Sequence, residues 1–179
     1  MSKTVQVLDL SFETYIDKKT IKQRVKEMGK ELGKEFNGKK PIFLAILNGS
    51  FVFASDLVRA CKFDHEISFI KLTSYEGTVS SGKVITQIGL QEDLTDREVI
   101  VIEDIIDTGT TIYHFLPTLK KSNPKSITIV SLLQKPTALK FPLKIDYIGF
   151  EIPNKFVVGY GLDYKGLGRN LKDIYQLKE

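Results

Sequence analysis

Val99-Ile100-Val101-Ile102-Glu103-Asp104-Ile105-Ile106-Asp107-Thr108-Gly109-Thr110-Thr111 is the stretch whose reading decides the fold. Four branched apolar residues predict a buried strand, which two adjacent carboxylates end. A third carboxylate opens a Thr/Gly-rich turn, and a helix-like segment follows. Such a turn offers backbone N–H groups and hydroxyls to a phosphate at a helix N-terminus. The acids offer acceptors to sugar hydroxyls or to a metal. Together these two chemistries suit a ribose phosphate. No Gly-Lys-Ser/Thr follows the strand and the G-x-G-x-x-G spacing is missing, so neither a Walker loop nor a dinucleotide fingerprint is present. A strand, turn and capped helix of any α/β protein could be written similarly. Three acids in five positions argue against that reading, because they repel one another unless a ligand, metal or solvent offsets them.

Outward from this stretch, strands and helices alternate. Asp17 begins an amphipathic segment with Ile21, Val25, Met28, Leu32 and Phe36 at helical spacing, and Asn37-Gly38 closes it. A strand is expected over 42–47, a turn at Asn48-Gly49-Ser50, a helix over 51–61 and a strand over 66–72. This is a βαβ unit, so its strands should be parallel. Residues 73–83 form a polar, glycine-bearing loop, long enough to suggest a function. Further strands are expected over 84–90, 98–102, 126–133 and 145–150. A helix capped by Thr110 or Thr111 should run to about residue 121, with Pro117 inside it. The pattern predicts a doubly wound, mostly parallel α/β sheet in a single domain over 1–179, with ligands at the carboxyl ends of the strands.

Composition narrows the classes of function. The chain has 179 residues, 42% of them hydrophobic, which is ample for one core. A net charge of +4 arises from 26 basic and 22 acidic residues scattered along the chain, a weak footprint for nucleic acid. The single Cys61 excludes an internal disulfide and suits a reducing cytoplasm, and its apolar neighbours predict a buried, inert thiol. No run approaches the length of a membrane span, and no signal-peptide pattern opens the chain. His65 and His114 lack metal-ligand spacing.

The Glu103–Thr111 wording closely resembles the diphosphoribosyl-binding motif of the type I phosphoribosyltransferases, and within them the hypoxanthine-guanine branch. The resemblance spans most of the chain from about Pro41 onward. It implies that fold with a small hood built from the chain termini, and a homodimer or homotetramer. It also implies transfer of a phosphoribosyl group from 5-phosphoribosyl 1-diphosphate to a 6-oxopurine, with Mg²⁺, as a step of purine salvage. In the family's terms Glu103 and Asp104 would hold the ribose hydroxyls, directly or through the metal's shell. Asp107, Thr108, Gly109, Thr110 and Thr111 would bind the 5-phosphate, and Asp107 would be the general base near N7 of the purine.

Lys135 would donate to the purine's 6-oxygen, a pairing poorly suited to adenine's amino group. Phe156-Val157-Val158-Gly159-Tyr160-Gly161-Leu162-Asp163-Tyr164 is similar to the family's purine clamp. There Phe156 would stack on the base, the Val157 backbone would bond its edge, and Asp163 would approach the Mg²⁺ beside the pyrophosphate. Arg169 would reach the pyrophosphate. Asn48-Gly49 occupies the family's pyrophosphate loop, where many members carry Lys-Gly. The peptide entering that loop can be cis in the family, a rare geometry outside proline. Ser74-Tyr75 matches the Ser-Tyr pair of a mobile loop that closes over pyrophosphate and excludes water. Two alternatives stay open: the same chemistry on uracil, xanthine or adenine, and a nucleic-acid-binding regulator that keeps only the sugar-phosphate pocket.

Overall fold

The structure is a computed structural model describing residues 3–74, 84–88 and 92–178. Ten strands and three α-helices are assigned among them. They run β1 (Thr4–Val7), β2 (Leu10–Ile16), α1 (Lys18–Phe36), β3 (Ile42–Leu47), α2 (Phe51–Ala60), β4 (Glu66–Ser74), β5 (Val84–Ile88), β6 (Glu98–Ile106), α3 (Thr110–Lys120), β7 (Ser126–Gln134), β8 (Tyr147–Glu151), β9 (Val157–Val158) and β10 (Ile174–Leu177).

The main sheet has the order β5-β4-β3-β6-β7-β8. β3 pairs in parallel with both β4 and β6, and the parallel ladder continues through β7 to β8. Only β5 is antiparallel, against β4. Side chains of β3 alternate between two cores. Phe43 and Ala45 meet α1 and α2 on one face; Ile42, Leu44 and Ile46 meet α3 on the other. The sheet is therefore doubly wound. Its strand order reverses between β3 and β6, and a crevice opens there beyond the carboxyl ends.

α1 starts where Asp17 accepts from the backbone N–H groups of Lys19 and Thr20, and its apolar stripe is buried as the spacing predicted. Cys61 is buried, and burial pushes its thiol up to about 12, in keeping with an inert side chain.

Three expectations change. The carboxylates Glu103 and Asp104 do not end the motif strand. They lie inside it, because β7 runs alongside and continues the ladder to Ile106↔Gln134. Neither Thr110 nor Thr111 caps α3. The cap is Gly109, at φ 76°, while the Thr108 and Thr110 hydroxyls bond each other at 2.8 Å. Residues 73 and 74 belong to β4 rather than to a loop, and residues 75–83 lie outside the described residues.

A second, antiparallel sheet joins both ends of the chain in the order β1-β2-β10-β9. Phe12, Val158 and Tyr175 are buried beneath it. The β9 edge of this sheet carries Val157, so the chain termini build one wall of the crevice.

Candidate active site

Four loops converge at the crevice: those after β3, β6 and β7, and the segment around β9. A pocket of about 240 Å³ is lined by Asp104 and Asp107 from the β6 side, Lys135 after β7, and Phe156, Val157 and Asp163 from the β9 segment. A smaller cavity of about 90 Å³ adjoins it, formed by Glu103 and the turn from Asp107 to Thr111. Asp107 borders both. The residues expected at the purine and the 5-phosphate thus line two neighbouring cavities, whereas Asn48, Gly49 and Arg169, expected at the pyrophosphate, line neither.

Lys135 is buried, with its Nζ 2.6 Å from Asp107 Oδ2. Its backbone N–H donates to Ile106 O, which ties the end of β7 to the end of β6. An ammonium donor and a carboxylate acceptor therefore stand side by side at the pocket that Phe156 also lines. Phe156 is 42% exposed, high for a large aromatic, and its ring meets Phe12 at 5.9 Å, tilted by 50°, and Tyr164 at 5.7 Å, near perpendicular. These contacts hold the ring in place while the residue stays partly open to a planar partner.

The loop after β3 shows why glycine stands there. The Leu47–Asn48 peptide is cis. A Cβ at Gly49 would lie 1.7 Å from Asp104 Oδ2, so the Asp104 carboxylate occupies the place of a side chain. Gly161 packs as closely from the other side, where a Cβ would lie 2.1 Å from Gly49 O. Arg169 Nη2 is 2.7 Å from Asp163 Oδ1, and its Nη1 donates to Gly161 O at 2.6 Å. Asp163 also accepts from Gly166 N–H at 2.6 Å. Asn48-Gly49, Asp104, Asp163 and Arg169 therefore form one connected group.

The acids of β6 are held against their charge. Burial pushes the Asp104 carboxyl up to about 6; neighbouring Asp163 adds to this, while backbone N–H groups and Arg169 oppose it. Burial, and then the adjacent Asp104, raises Glu103 well above the ordinary carboxylate range. These two neighbours serve different cavities: Asp104 borders the larger and Glu103 the smaller.

Among the described residues, no group of three His, Cys, Asp or Glu side chains is arranged to hold a metal by itself. Asp104 and Asp163 both line the larger pocket, and two carboxylates suffice for Mg²⁺ that keeps waters and substrate phosphate oxygens as its other ligands. Glu103, facing the other cavity, is not grouped with them. Ser74 closes β4 opposite Val84, and Tyr75 lies outside the described residues.

The site also contains residues that motif reading did not single out for a role. Ile105 and Leu162 line the larger pocket, and Phe12 supports Phe156 from the N-terminal strand. Tyr160 Oη donates to Asp56 at 2.7 Å and pins the β9 segment to α2. Leu162 and Tyr160 sit inside the clamp segment and could have been suspected. Nothing local marks Phe12 or Asp56.

The phosphoribosyl transferase domain matches residues 11–165. A protein of Buchnera aphidicola, named hypoxanthine phosphoribosyltransferase, is 47% identical over 126 residues, 70% of this chain and 71% of its own. The hypoxanthine-guanine-xanthine phosphoribosyltransferase of Tritrichomonas foetus is 35% identical over 180 residues, 100% of this chain and 98% of its own. The crystal structure of a hypoxanthine phosphoribosyltransferase from Staphylococcus aureus superposes with a TM-score of 0.89 at 39% identity. The match covers 93% of this chain and 91% of that one. With the motif strand, the paired cavities and these likenesses in agreement, the chain belongs to the phosphoribosyltransferase family, in its hypoxanthine-guanine branch.

Proposed function

We propose that this crevice is where a 5-phosphoribosyl group passes from 5-phosphoribosyl 1-diphosphate to a purine. The protein is a transferase of purine salvage, a hypoxanthine (guanine) phosphoribosyltransferase, giving IMP or GMP and pyrophosphate. One observation carries the residue-level reading: a buried lysine, a carboxylate and an open aromatic ring share one pocket, and a phosphate-sized cavity adjoins it.

The bond between ribose C1 and a pyrophosphate oxygen breaks, and a bond from C1 to a purine nitrogen forms. Phe156 stacks on the base while the Val157 backbone and the Lys135 ammonium read its edge, the latter at the 6-oxygen. Asp107 accepts the proton that leaves the purine, or stabilises the cationic ring before it leaves. The turn from Asp107 to Thr111 holds the 5-phosphate through N–H and O–H donors. Glu103 and Asp104 meet the ribose hydroxyls. Asn48 and Gly49 offer backbone N–H groups to the pyrophosphate, and Arg169 neutralises part of the charge that builds there. Ser74 and Tyr75 belong to the loop that covers it. Asp104 and Asp163 would hold Mg²⁺, which would supply further charge neutralisation at the leaving group.

The experiment is turnover by the purified protein with Mg²⁺ and donor on hypoxanthine, guanine, xanthine, adenine and uracil. Nucleotide formation from the first two, and little from adenine or uracil, is expected. Donor binding without pyrophosphate release would instead mark a regulator. Xanthine is the open case, since the Tritrichomonas relative that aligns over the full length carries it in its name.

Location and assembly form part of the same proposal: a cytoplasmic homodimer or homotetramer. No helix among the described residues is long and apolar enough to cross a membrane. Ile67 and Phe69 alternate along β4 and remain 40% exposed each, as a self-associating face would leave them. Light scattering at several concentrations tests the assembly, and a monomer throughout would refute it.

A further inference from the structure

The phosphate-binding turn does not stand alone. The segment after β7 folds back over it and touches the turn and the strand and helix on either side of it at four places. Lys135 N–H donates to Ile106 O and Lys140 N–H donates to Thr108 O, each at 3.0 Å. Leu139 and Leu143 close on Gly109, where a Cβ would lie 2.6 Å from Leu143 Cδ1 and 3.2 Å from Leu139 Cδ2. Phe141 stacks on Tyr113 in the first turn of α3, with ring centroids 4.3 Å apart and planes 18° from parallel. His114 meets both rings edge-on, at 5.4 and 5.6 Å.

The entry, middle and exit of one turn are therefore held by one segment. Gly109, at φ 76°, is the point where the chain must keep a left-handed conformation. The bland reading is surface packing that adds only stability. Against it, the contacts converge on a single short turn. The segment also begins at Lys135, whose Nζ lies on Asp107 at the head of that turn.

We infer that residues 135–143 form a clamp that keeps the phosphate turn in its binding conformation, with Phe141 as a positioning residue acting through Tyr113. The inference rests on the reading of the smaller cavity as the 5-phosphate site. A cradle of N–H donors binds phosphate only when its backbone is in one arrangement. Apparent affinity falls by the fraction of molecules in other arrangements. Phe141 touches neither substrate nor reacting atoms in this account, so its removal should act on phosphate affinity and spare the chemistry.

The test compares Phe141→Ala and Phe141→Tyr with the wild type. Dissociation constants for ribose 5-phosphate and for pyrophosphate, each with Mg²⁺, are measured by calorimetry. Steady-state kcat and KM are measured for the donor and for hypoxanthine. In Phe141→Ala the ribose 5-phosphate constant and the donor KM should rise about two- to tenfold, as expected for a lost aromatic pair. Pyrophosphate binding, the hypoxanthine KM and kcat at saturating donor should stay within about twofold, and Phe141→Tyr, which keeps the stack, should restore wild-type values. Equal changes in all constants, no change in any, or a Tyr variant as weak as the Ala variant would each overturn the clamp. Absent wild-type turnover would overturn the proposed activity instead, while the two binding constants would still decide the clamp.

Discussion

At the scale of single residues, the pair Lys135 and Asp107 concentrates the chemistry. Their 2.6 Å contact places a cation and an anion at one edge of the pocket, so each is expected to act on a different atom of the base. Asp107→Asn keeps the shape and removes the proton acceptor. It should leave ribose 5-phosphate binding nearly intact and lower kcat for hypoxanthine by about 10²–10⁴-fold. A kcat within a few-fold of wild type would exclude the general-base role. Lys135→Ala should act on base choice. Loss of a charge-assisted hydrogen bond in a buried setting is worth on the order of 1.5–3 kcal/mol, roughly ten- to a hundredfold. kcat/KM for hypoxanthine and guanine should fall by that factor, and adenine should stay poor. Unchanged ratios among the three bases would show that Lys135 does not read the 6-position.

At the scale of elements, β6 is a central strand that carries acids past its apolar half. Asp104 is the clearest case, pressed against Gly49 and facing Asp163 across the pocket. Its carboxyl is raised from 3.8 to about 6. Below the unfolded value both states are protonated and the group costs nothing. Between these values the folded state holds more protons, so stability falls as pH rises, and the cost persists above the folded value. Removing the charge should reverse this. Asp104→Asn is expected to melt higher than wild type at pH 7–8 without ligand, with the difference vanishing toward pH 4. Melting curves across that range check it; a variant less stable at pH 8 than wild type would contradict the charge argument. The motif strand and its three acids were legible because they are contiguous. That Glu103 and Asp104 lie within the strand was not, because the ladder is extended by β7, which a local reading of β6 cannot see.

At the scale of the whole molecule, the chain closes on itself. β2 from the N-terminal end pairs with β10 from the C-terminal end, and Leu177 N–H donates to Phe156 O at 2.9 Å. The Phe156 ring therefore depends on a residue more than a hundred positions away, Phe12. Phe12 is fully buried behind it. Phe12→Ala should cost about 3–5 kcal/mol of stability, as large aromatic truncations do. It should also raise KM for hypoxanthine while leaving the donor KM near wild type, because Phe12 meets the ring of Phe156 and lines neither cavity. Urea unfolding and the two KM values measure this together. A loss of stability with both KM values unmoved would show that Phe12 supports the fold and not the clamp.

The sequence by itself determined what local order can encode. Alternating apolar runs set the strands of the main sheet, the 17–36 stripe and Asp17 set the first helix, and the βαβ rule set the parallel pairing. The acids and small residues of 103–111 marked the segment that lines the smaller cavity. Tertiary structure alone decided the rest. It paired β1, β2, β9 and β10 into one sheet, since strands of two to seven residues acquire meaning only from their partners. It made Gly109 rather than a threonine the cap of α3, because that turn needs a positive φ. It set Asp104 where a Gly49 side chain would be, brought Lys135 onto Asp107, and laid Phe141 over Tyr113. Apart from the Gly109 cap, which a local backbone angle sets, each depends on the distance between residues far apart in the chain, and spacing along a sequence carries no such distance.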